Sequence, residues 1–502
     1  MFGSLDYLVI VSYLAVVCAA GFWLGRKEKD TSDFFLGGRQ MPWGAVMFSI
    51  LATEMSALTF ISVPGLSFKG NFVYLQFAIG SLLGRILIAL FFLPAFYRGK
   101  VTTVYEYLQQ RFGNRSRDTG AIFFFATRLL GSGVRLCVTA KALEVVSGLT
   151  YLQAICVVAV LAVAYTSFGG IKAVIWTDVV QFAVFMGGAG LALYFVIRMI
   201  PGGLEGAYSV LRGAVDAAKQ PAHKLRVCDF TISFTKQSVF FAAVLNSCFQ
   251  TFAALGTDQD LAQRMLTCKS VSRSKKSLVL TGIAKFPIDA LFLLLGAALF
   301  ALNVHSGFAD KVKDADHVFP TFIVTALPAG IKGLLFAAIF AAAMSSLDSA
   351  LTALSSSAIN DIYRPYVRKT APEKHYLAVS RICVPIFALL LVGIAYLCRG
   401  EESVLWLAFK LTGYTYGALL GVFLVGVLTR RGNNLGNIIA MSSSIGVLLT
   451  IRRLLPSLNW QFYVIIGTLW TFGLAILFKP SPGSPRQAGT SSPLRNDKTG
   501  AA

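Results

Sequence analysis

Ser49-Ile-Leu-Ala52-Thr53-Glu54-Met55-Ser56-Ala57-Leu58-Thr59-Phe60-Ile-Ser-Val-Pro64-Gly65 interrupts an apolar segment with a carboxylate, several hydroxyls and a Pro-Gly pair. Inside a bilayer the backbone has no water to bond, so a broken span survives only against protein or a cavity. A second segment reads Asn246-Ser247-Cys-Phe-Gln250-Thr251-Phe-Ala-Ala-Leu-Gly256-Thr257-Asp258. It also turns polar and meets a glycine before its end. By hydropathy it lies about five spans after the first. Interrupted helices at matching places in two five-helix halves point to an inverted-repeat transporter. Unwound carbonyls would coordinate an ion, and half-helix ends would face the solute. Either break alone would also fit a plain kink, because Pro and Gly are common in membrane helices.

A third stretch supports the paired reading. In Phe340-Ala-Ala-Ala-Met-Ser-Ser-Leu-Asp348-Ser-Ala-Leu-Thr352, positions Ser345, Asp348, Ser349 and Thr352 fall at i, i+3, i+4 and i+7. They share one helix face, with Ser346 beside it. Oxygens buried in lipid are costly unless something satisfies them. A small hard cation does so, which makes sodium the expected coupling ion.

Composition agrees with a membrane protein: 56% of the 502 residues are hydrophobic and 14% charged, against about 25% charged in soluble chains. About thirteen spans are expected, at roughly 5–25, 44–68, 72–97, 119–148, 150–168, 174–200, 235–256, 277–304, 331–361, 376–398, 403–428, 436–452 and 459–478. The first is expected to persist as a span, because its basic residues follow the apolar run instead of preceding it. Residues 1–478 read as a single transmembrane domain, with a core repeat over about 44–428. The Pro-, Gly- and Ser-rich 479–502 reads as a disordered cytoplasmic tail.

The net charge of +21 does not indicate nucleic acid, since its clusters are short and lie between spans. They recur in alternate loops: Arg98 to Arg117, Arg264 to Lys276, Arg364 to Lys374, and Arg430–Arg431. The positive-inside rule places these loops in the cytoplasm, with the N-terminus outside and the C-terminus inside a plasma (inner) membrane. The loop over 201–234 fits less well, and long loops weigh less in that rule. Eight cysteines are scattered without CxxC or Cys/His spacing, so no transition-metal site is expected. Four histidines without a nucleophile–base motif or phosphate loop do not suggest an enzyme. The partners implied are the lipid bilayer, sodium and a small solute, with no obligatory protein partner evident.

Three further motifs carry a resemblance. Gly169-Gly-Ile-Lys-Ala-Val-Ile-Trp-Thr-Asp178-Val-Val-Gln181, Gly256-Thr-Asp258-Gln259-Asp-Leu-Ala-Gln263-Arg264 and Asp33-Phe-Phe-Leu-Gly-Gly-Arg39, together with the 344–349 stretch, resemble the sodium:solute symporter family in order along nearly the whole chain. The resemblance implies an all-α LeuT-type 5+5 inverted repeat with two broken helices, one helix before the core and two after. It implies solute uptake driven by the sodium gradient through alternating access. It places a sodium site on the carbonyls of Ala52, Met55 and Ala342 and the hydroxyls of Ser345 and Ser346. It assigns Asp178 to the sodium exit path or to a second sodium site. A first-turn acid favoured by the helix dipole is the structural alternative. In some relatives serines one turn beyond Ser345 complete the second site. Here Asp348 and Ser349 hold those places, and Asp348 could instead pair with a buried Lys or Arg.

The solute is read from polar residues near the breaks. Glu54, Ser56, Thr59, Gln76, Gln250 and Thr251 could bind a polar solute at the midplane. Arg128, Arg135, Lys141 and Glu144 follow on the third core helix. Arg135 sits among small residues, in Leu130-Gly-Ser-Gly-Val-Arg135, where its fork could meet a carboxylate. In sialic-acid carriers of the family, an arginine on this helix binds the substrate carboxylate. A salt bridge to Glu54, Asp348 or Glu144 is the alternative. The expected function is sodium-coupled symport of a small polar solute bearing a carboxylate, such as a sialic or other organic acid. A sodium/sugar symporter and a proton-coupled carrier of the same fold stand beside it. Sugar carriers place an aromatic gate on the sixth core helix, where Phe252-Ala-Ala254-Leu255 here is small or aliphatic at the gate positions.

Overall fold

Each long apolar segment closes its backbone hydrogen bonds inside a helix, as a bilayer requires. The computed structural model describes residues 3–25, 31–56, 58–166, 170–214, 223–236, 238–400 and 404–480. From residue 481 onward the expected tail lies outside these, as do Ala57 and Gly169 of the stretches quoted above. Ordered pairing among the described residues is helical, apart from one isolated bridge between Met41 and Cys268.

The first helix, α1, spans Ser4–Gly25, and a bent pair follows, α2 (Trp43–Glu54) and α3 (Leu58–Lys69). Next come α4 (Val73–Gly99), α5 (Val104–Phe112), α6 (Asn114–Ser147), α7 (Tyr151–Thr166) and α8 (Ile171–Met199). The second half holds α9 (Phe240–Thr257), α10 (Gln259–Leu266), α11 (Val271–Ser306), α12 (Ala315–Ala326), α13 (Ile331–Ser357), α14 (Glu373–Leu397) and α15 (Val404–Leu428). Two helices close the chain, α16 (Asn434–Leu454) and α17 (Trp460–Ala475). Nine helices among the described residues are long and apolar enough to cross a membrane, or ten if α2 and α3 form one span. Shorter apolar helices occur within α1, within α7 and at α17, so length and composition alone do not fix the expected thirteen.

The packing repeats between halves. α4 packs on α9 as α11 packs on α3, and α8 lies against α2 and α13 as α15 lies against α9 and α6. These equivalences are those of a five-helix unit repeated once. Two glycines mark the closest approaches. A Cβ on Gly80 of α4 would fall 2.0 Å from the Val244 carbonyl of α9, and one on Gly296 of α11 would fall 2.0 Å from the Pro64 carbonyl of α3. No side chain fits there, and the backbones meet as small residues permit in membrane bundles.

The two breaks differ. α2 stops at Glu54, Met55 leaves helical geometry (φ −82, ψ 73), and α3 leaves at a bend of 59°. The second expected break is displaced. Gln250, Thr251 and Gly256 lie within continuous α9, and the chain first turns extended at Asp258 (φ −92, ψ 122). The polar run causes no break because its side chains find partners without disturbing the ladder: Gln250 Nε2 donates to Thr412 Oγ1 at 2.8 Å, and Thr251 pairs with Ser81 at 3.0 Å. Asp258 instead caps α10 by accepting from the Asp260 N–H. The freed Thr257 carbonyl accepts from the Tyr105 hydroxyl at 2.8 Å.

α13 is the central helix, with 94% of its most apolar window buried. Its start is capped from outside the repeat. Asp6 of α1 accepts from the Gly330 and Gly333 N–H groups at 2.6 and 2.9 Å, satisfying donors that a helix start leaves open. At the same end of the bundle residues 223–236 form a strap. Arg226 O accepts from Phe72 N at 3.0 Å, and Lys224 Nζ donates to Phe68 O at 2.6 Å while sitting 3.9 Å from the Phe300 ring centroid. Burial pushes the Lys224 ammonium down to about 8.

Candidate functional site

The α2–α3 break opens directly onto α13. Ser345 Oγ donates to the Ala52 carbonyl at 2.8 Å, with the Ala342 carbonyl at 3.4 Å. Ser346 Oγ donates to Ala342 O at 3.2 Å and to Thr53 O at 3.3 Å. Four of the five expected sodium ligands are thus linked by direct bonds. Met55, the fifth, stands at the point where the helix ends. Neutral oxygens from two helices converging in a dry region suit a small hard cation, which replaces their mutual bonds.

One turn along α13 the chemistry becomes charged. Arg264 of α10 is 1% exposed and reaches across to α2, α8 and α13. It donates to Ser49 Oγ and to the Asp260 carboxylate at 2.9 and 2.8 Å, pairs with Asp178 at 3.2 Å, and bonds Ser349 Oγ. Asp178 also accepts from Ser49 at 2.5 Å, while its Oδ1 is buried without a hydrogen-bond partner among the described residues. Asp348 Oδ1 accepts from the Ser349 N–H at 2.6 Å, and Ser349 Oγ donates to the Ser345 carbonyl. Asp178, Asp348 and Ser349 are therefore brought together, one hydrogen bond from the sodium ligands. Arg264 was expected in a cytoplasmic loop. The break at Asp258 turns α10 back under the core and buries it. A charged residue within a motif beside a helix break was the available signal.

Between the breaks lies a cavity of about 1110 Å³, including its open mouth. Glu54, Ser56 and Thr59 reach it from the first break, Arg135 from α6, and Gln250 and Thr251 from α9. Six of the seven residues expected to bind solute thus line one space. Gln76 does not. Its amide donates to the Ser238 carbonyl, and its Oε1 accepts from Asp229 N at 3.5 Å, so it ties α4 to the strap. One helical turn of Tyr74 and Phe77 stands at the cavity in its place.

Among the described residues, the charges in and near the cavity are paired apart from Arg135. Glu54 pairs with Arg85 of α4, a mid-span arginine that hydropathy averaging hid. Lys285 pairs with Asp289 at 2.9 Å. Arg128 bridges Asp258 and Asp260 at 2.5 and 2.9 Å. Lys141 pairs with Asp314 at 2.9 Å, and Glu144 stands 3.8 Å from Arg399. Arg135 makes no ion pair among the described residues, and its Nη1 is buried without a hydrogen-bond partner. Of the alternative acids, Glu54 pairs with Arg85 and Glu144 stands 3.8 Å from Arg399, and no ion pair joins Arg135 to Glu54, Glu144 or Asp348 among the described residues.

The family model for the sodium:solute symporter family matches residues 34–445. The chain belongs to this family. The symporter is 30% identical over 486 residues to the sodium/sialic acid symporter NanT of Aliivibrio fischeri, covering 95% of this chain and 94% of that one. It is 29% identical to the sodium/sialic acid symporter SiaT of Proteus mirabilis, covering 93% of both. Its fold matches a substrate-bound, outward-open Na+-coupled sialic acid symporter with a TM-score of 0.84 at 28% identity, over 95% of this chain and 97% of that one. A TM-score of 0.58 to Mhp1, a nucleobase-cation-symport-1 family transporter, at 16% identity over 91% and 98% of the chains, shows the shared fold. The protein is a sodium-coupled, multi-pass membrane symporter and not an enzyme.

Proposed function

We propose that this symporter imports a small organic acid carrying hydroxyl or amide donors, with sialic acid as the first candidate. The observation that carries this is Arg135, a cavity guanidinium that makes no ion pair among the described residues and whose Nη1 is buried without a hydrogen-bond partner. A buried guanidinium needs an anion, and a planar fork suits a carboxylate. Gln250 Oε1 is likewise buried without a donor among the described residues and lines the same cavity. It accepts a hydrogen bond from the solute, as do Glu54, Ser56, Thr59 and Thr251. Glu54 is neutralised by Arg85 and offers acceptor oxygen without repelling the acid. Two relatives that match 93% or more of the chain, at 29–30% identity, are sodium/sialic acid symporters and favour the same class.

Sodium binds on Ala52, Met55, Ala342, Ser345 and Ser346. Asp178, Asp348 and Ser349 form a second cation station or the exit path, with Asp178 Oδ1 as its open acceptor. In this reading 1–478 is one transport domain and 479–502 a cytoplasmic tail. The N-terminus and the strap are outside a plasma membrane, and the basic loops are inside.

The test is uptake into proteoliposomes with and without an inward sodium gradient, across sialic, short organic and amino acids and neutral sugars. Sodium-driven uptake of an acid, with selectivity over its amide lost in Arg135→Gln, is the expected result. Equal uptake of the acid and its amide by the parent protein would remove Arg135 from its role. Uptake following a proton gradient alone would move the coupling to Asp178 and Asp348.

A further inference from the structure

The helix that carries both cavity arginines, α6, is packed lengthwise against α14. Phe125 of α6 stacks on Phe387 of α14, with ring centroids 5.7 Å apart and planes 13° apart. About two turns on, a Cβ on Gly133 would stand 2.7 Å from the Ile394 Cβ. Two side chains cannot share that contact, so α6 has a glycine there. Four residues beyond each member of this pair stand Cys137 and Cys398. Cys398 follows the last residue of α14 and continues its path: φ is −84, and its N–H donates to the Ile394 carbonyl at 3.1 Å. The Cys137 thiol donates to the Cys398 carbonyl at 3.5 Å. Both residues are thiols in this structure.

Side chains at i and i+4 share a helix face, so two helices running in parallel present matched pairs at successive turns. A disulfide needs a Cβ separation of about 3.5–4.5 Å. Helices crossing at about 20° diverge by roughly 2 Å over one turn. That opens the contact at Gly133 and Ile394 to near the disulfide range at Cys137 and Cys398. Access is unequal. Cys137 is fully buried and Cys398 half-buried, so an oxidant meets Cys398 first. Cations flank the pair: Arg399 adjoins Cys398 and lies 5.2 Å over the Tyr151 ring, and Lys141 is one turn beyond Cys137. Positive charge beside a thiol favours the thiolate, which is the nucleophile. The Tyr151 hydroxyl, donating to the Ala395 carbonyl at 2.7 Å, holds the end of α14 in place.

We propose that Cys137 and Cys398 form a disulfide on the outer, oxidising side of the membrane and so staple α6 to α14. The placement outside rests on the orientation given under the proposed function. The oxidant is a disulfide, either a small molecule or an oxidised dithiol protein. The Cys398 thiolate attacks one of its sulfurs, which forms a mixed disulfide and releases one thiolate. The Cys137 thiolate then attacks the Cys398 sulfur and expels the second. Two protein thiols are oxidised, the oxidant's disulfide is reduced, and the two cysteine protons end on its two thiolates. The staple closes a loop of roughly 260 residues, which restricts the unfolded chain strongly. It joins two unbroken helices and leaves α2, α3, α9 and α10 unlinked, so it stabilises the protein without stopping transport.

The experiment reduces the purified full-length protein with a phosphine, exposes it to oxidised glutathione and maps its peptides without reductant by mass spectrometry. A peptide pair joined through Cys137 and Cys398 is expected, with a melting temperature about 5 °C or more above that of the reduced protein. Cys137→Ser and Cys398→Ser should each lose the joined pair and the redox-dependent shift. Cys398→Ala repeats the test if the serine variant is unstable. A lasting glutathione adduct on Cys398, with Cys137 recovered as a thiol, would overturn the staple. So would a redox-dependent shift that persists in both variants. The side is tested with a charged, membrane-impermeant maleimide on intact cells expressing Cys137→Ser. Labelling of Cys398 before lysis is expected, and labelling only after lysis would overturn the outer placement. Sodium-driven acid uptake by a protein that yields no joined pair would overturn this inference and leave the proposed function standing; a joined pair without acid uptake would do the reverse.

Discussion

Replacing Ser346 with alanine separates sodium binding from folding. Its hydroxyl makes only long bonds, at 3.2 and 3.3 Å, whereas Ser345 donates to Ala52 at 2.8 Å across α2 and α13. Bonds near the outer limit of hydrogen-bond geometry contribute little. Ser346→Ala should therefore cost about 0.5 kcal/mol or less of sodium-free stability, and Ser345→Ala about 1–1.5 kcal/mol. Toward sodium the same hydroxyl is an ion ligand. Losing a bond to a charged group costs about 1.5–3 kcal/mol, which is roughly a ten- to hundredfold rise in half-saturation. The assay is sodium activation of uptake in proteoliposomes, paired with thermal unfolding in sodium-free buffer. A folded Ser346→Ala protein whose sodium half-saturation stays within about twofold of the parent would refute the site, since no other ligand loss of about 1.5 kcal/mol can be that silent.

Three other outcomes are expected. Arg264→Met leaves Asp178 and Asp260 buried with a partner removed, so it should destabilise by about 3–5 kcal/mol; Asp178→Asn in the same chain should recover part of this in thermal unfolding. Glu54→Gln and Arg85→Met should each lower stability, and the double variant should lose less than their sum by about 0.5–3 kcal/mol; additivity would mean that the pair is not formed. Because burial lowers the folded pKa of Lys224 to about 8 from 10.5, the folded state sheds its proton first as pH rises. The unfolded state then binds more protons across that window, and stability rises with pH there. Melting temperatures of the parent should gain on those of Lys224→Met between about pH 8 and 10.5, and parallel profiles would count against burial of this ammonium.

Much of the proposed sodium site was legible because it depends on one helix and one break. Hydroxyls at i, i+3 and i+4 must share a face whatever surrounds them, and Glu54 beside Pro64 in an apolar run marks an interruption. The second break was placed too early because polarity was taken for unwinding. Gln250 and Thr251 keep their helix by bonding across to α15 and α4, partners that are remote in sequence. Gln76 was misassigned for the same reason, since the strap that claims it folds back from more than 150 residues away. Arg85 and Arg264 show the limit for charges. One cation inside an apolar span barely moves a hydropathy average, and one after a break reads as a loop residue.

The sequence by itself determined a membrane protein with two interrupted apolar segments and a serine-lined helix face, while its motifs carried the resemblance to sodium symporters. Those properties follow from local periodicity and from the cost of polar groups in lipid. Only the tertiary structure decided which charges are neutralised and which remain available. Arg128, Arg135, Lys141 and Arg85 are chemically alike as letters, and three of the four have carboxylates brought to them by other helices. Arg135 has none within ion-pair distance among the described residues, because electrostatic pairing acts over a few ångströms in space, irrespective of separation along the chain.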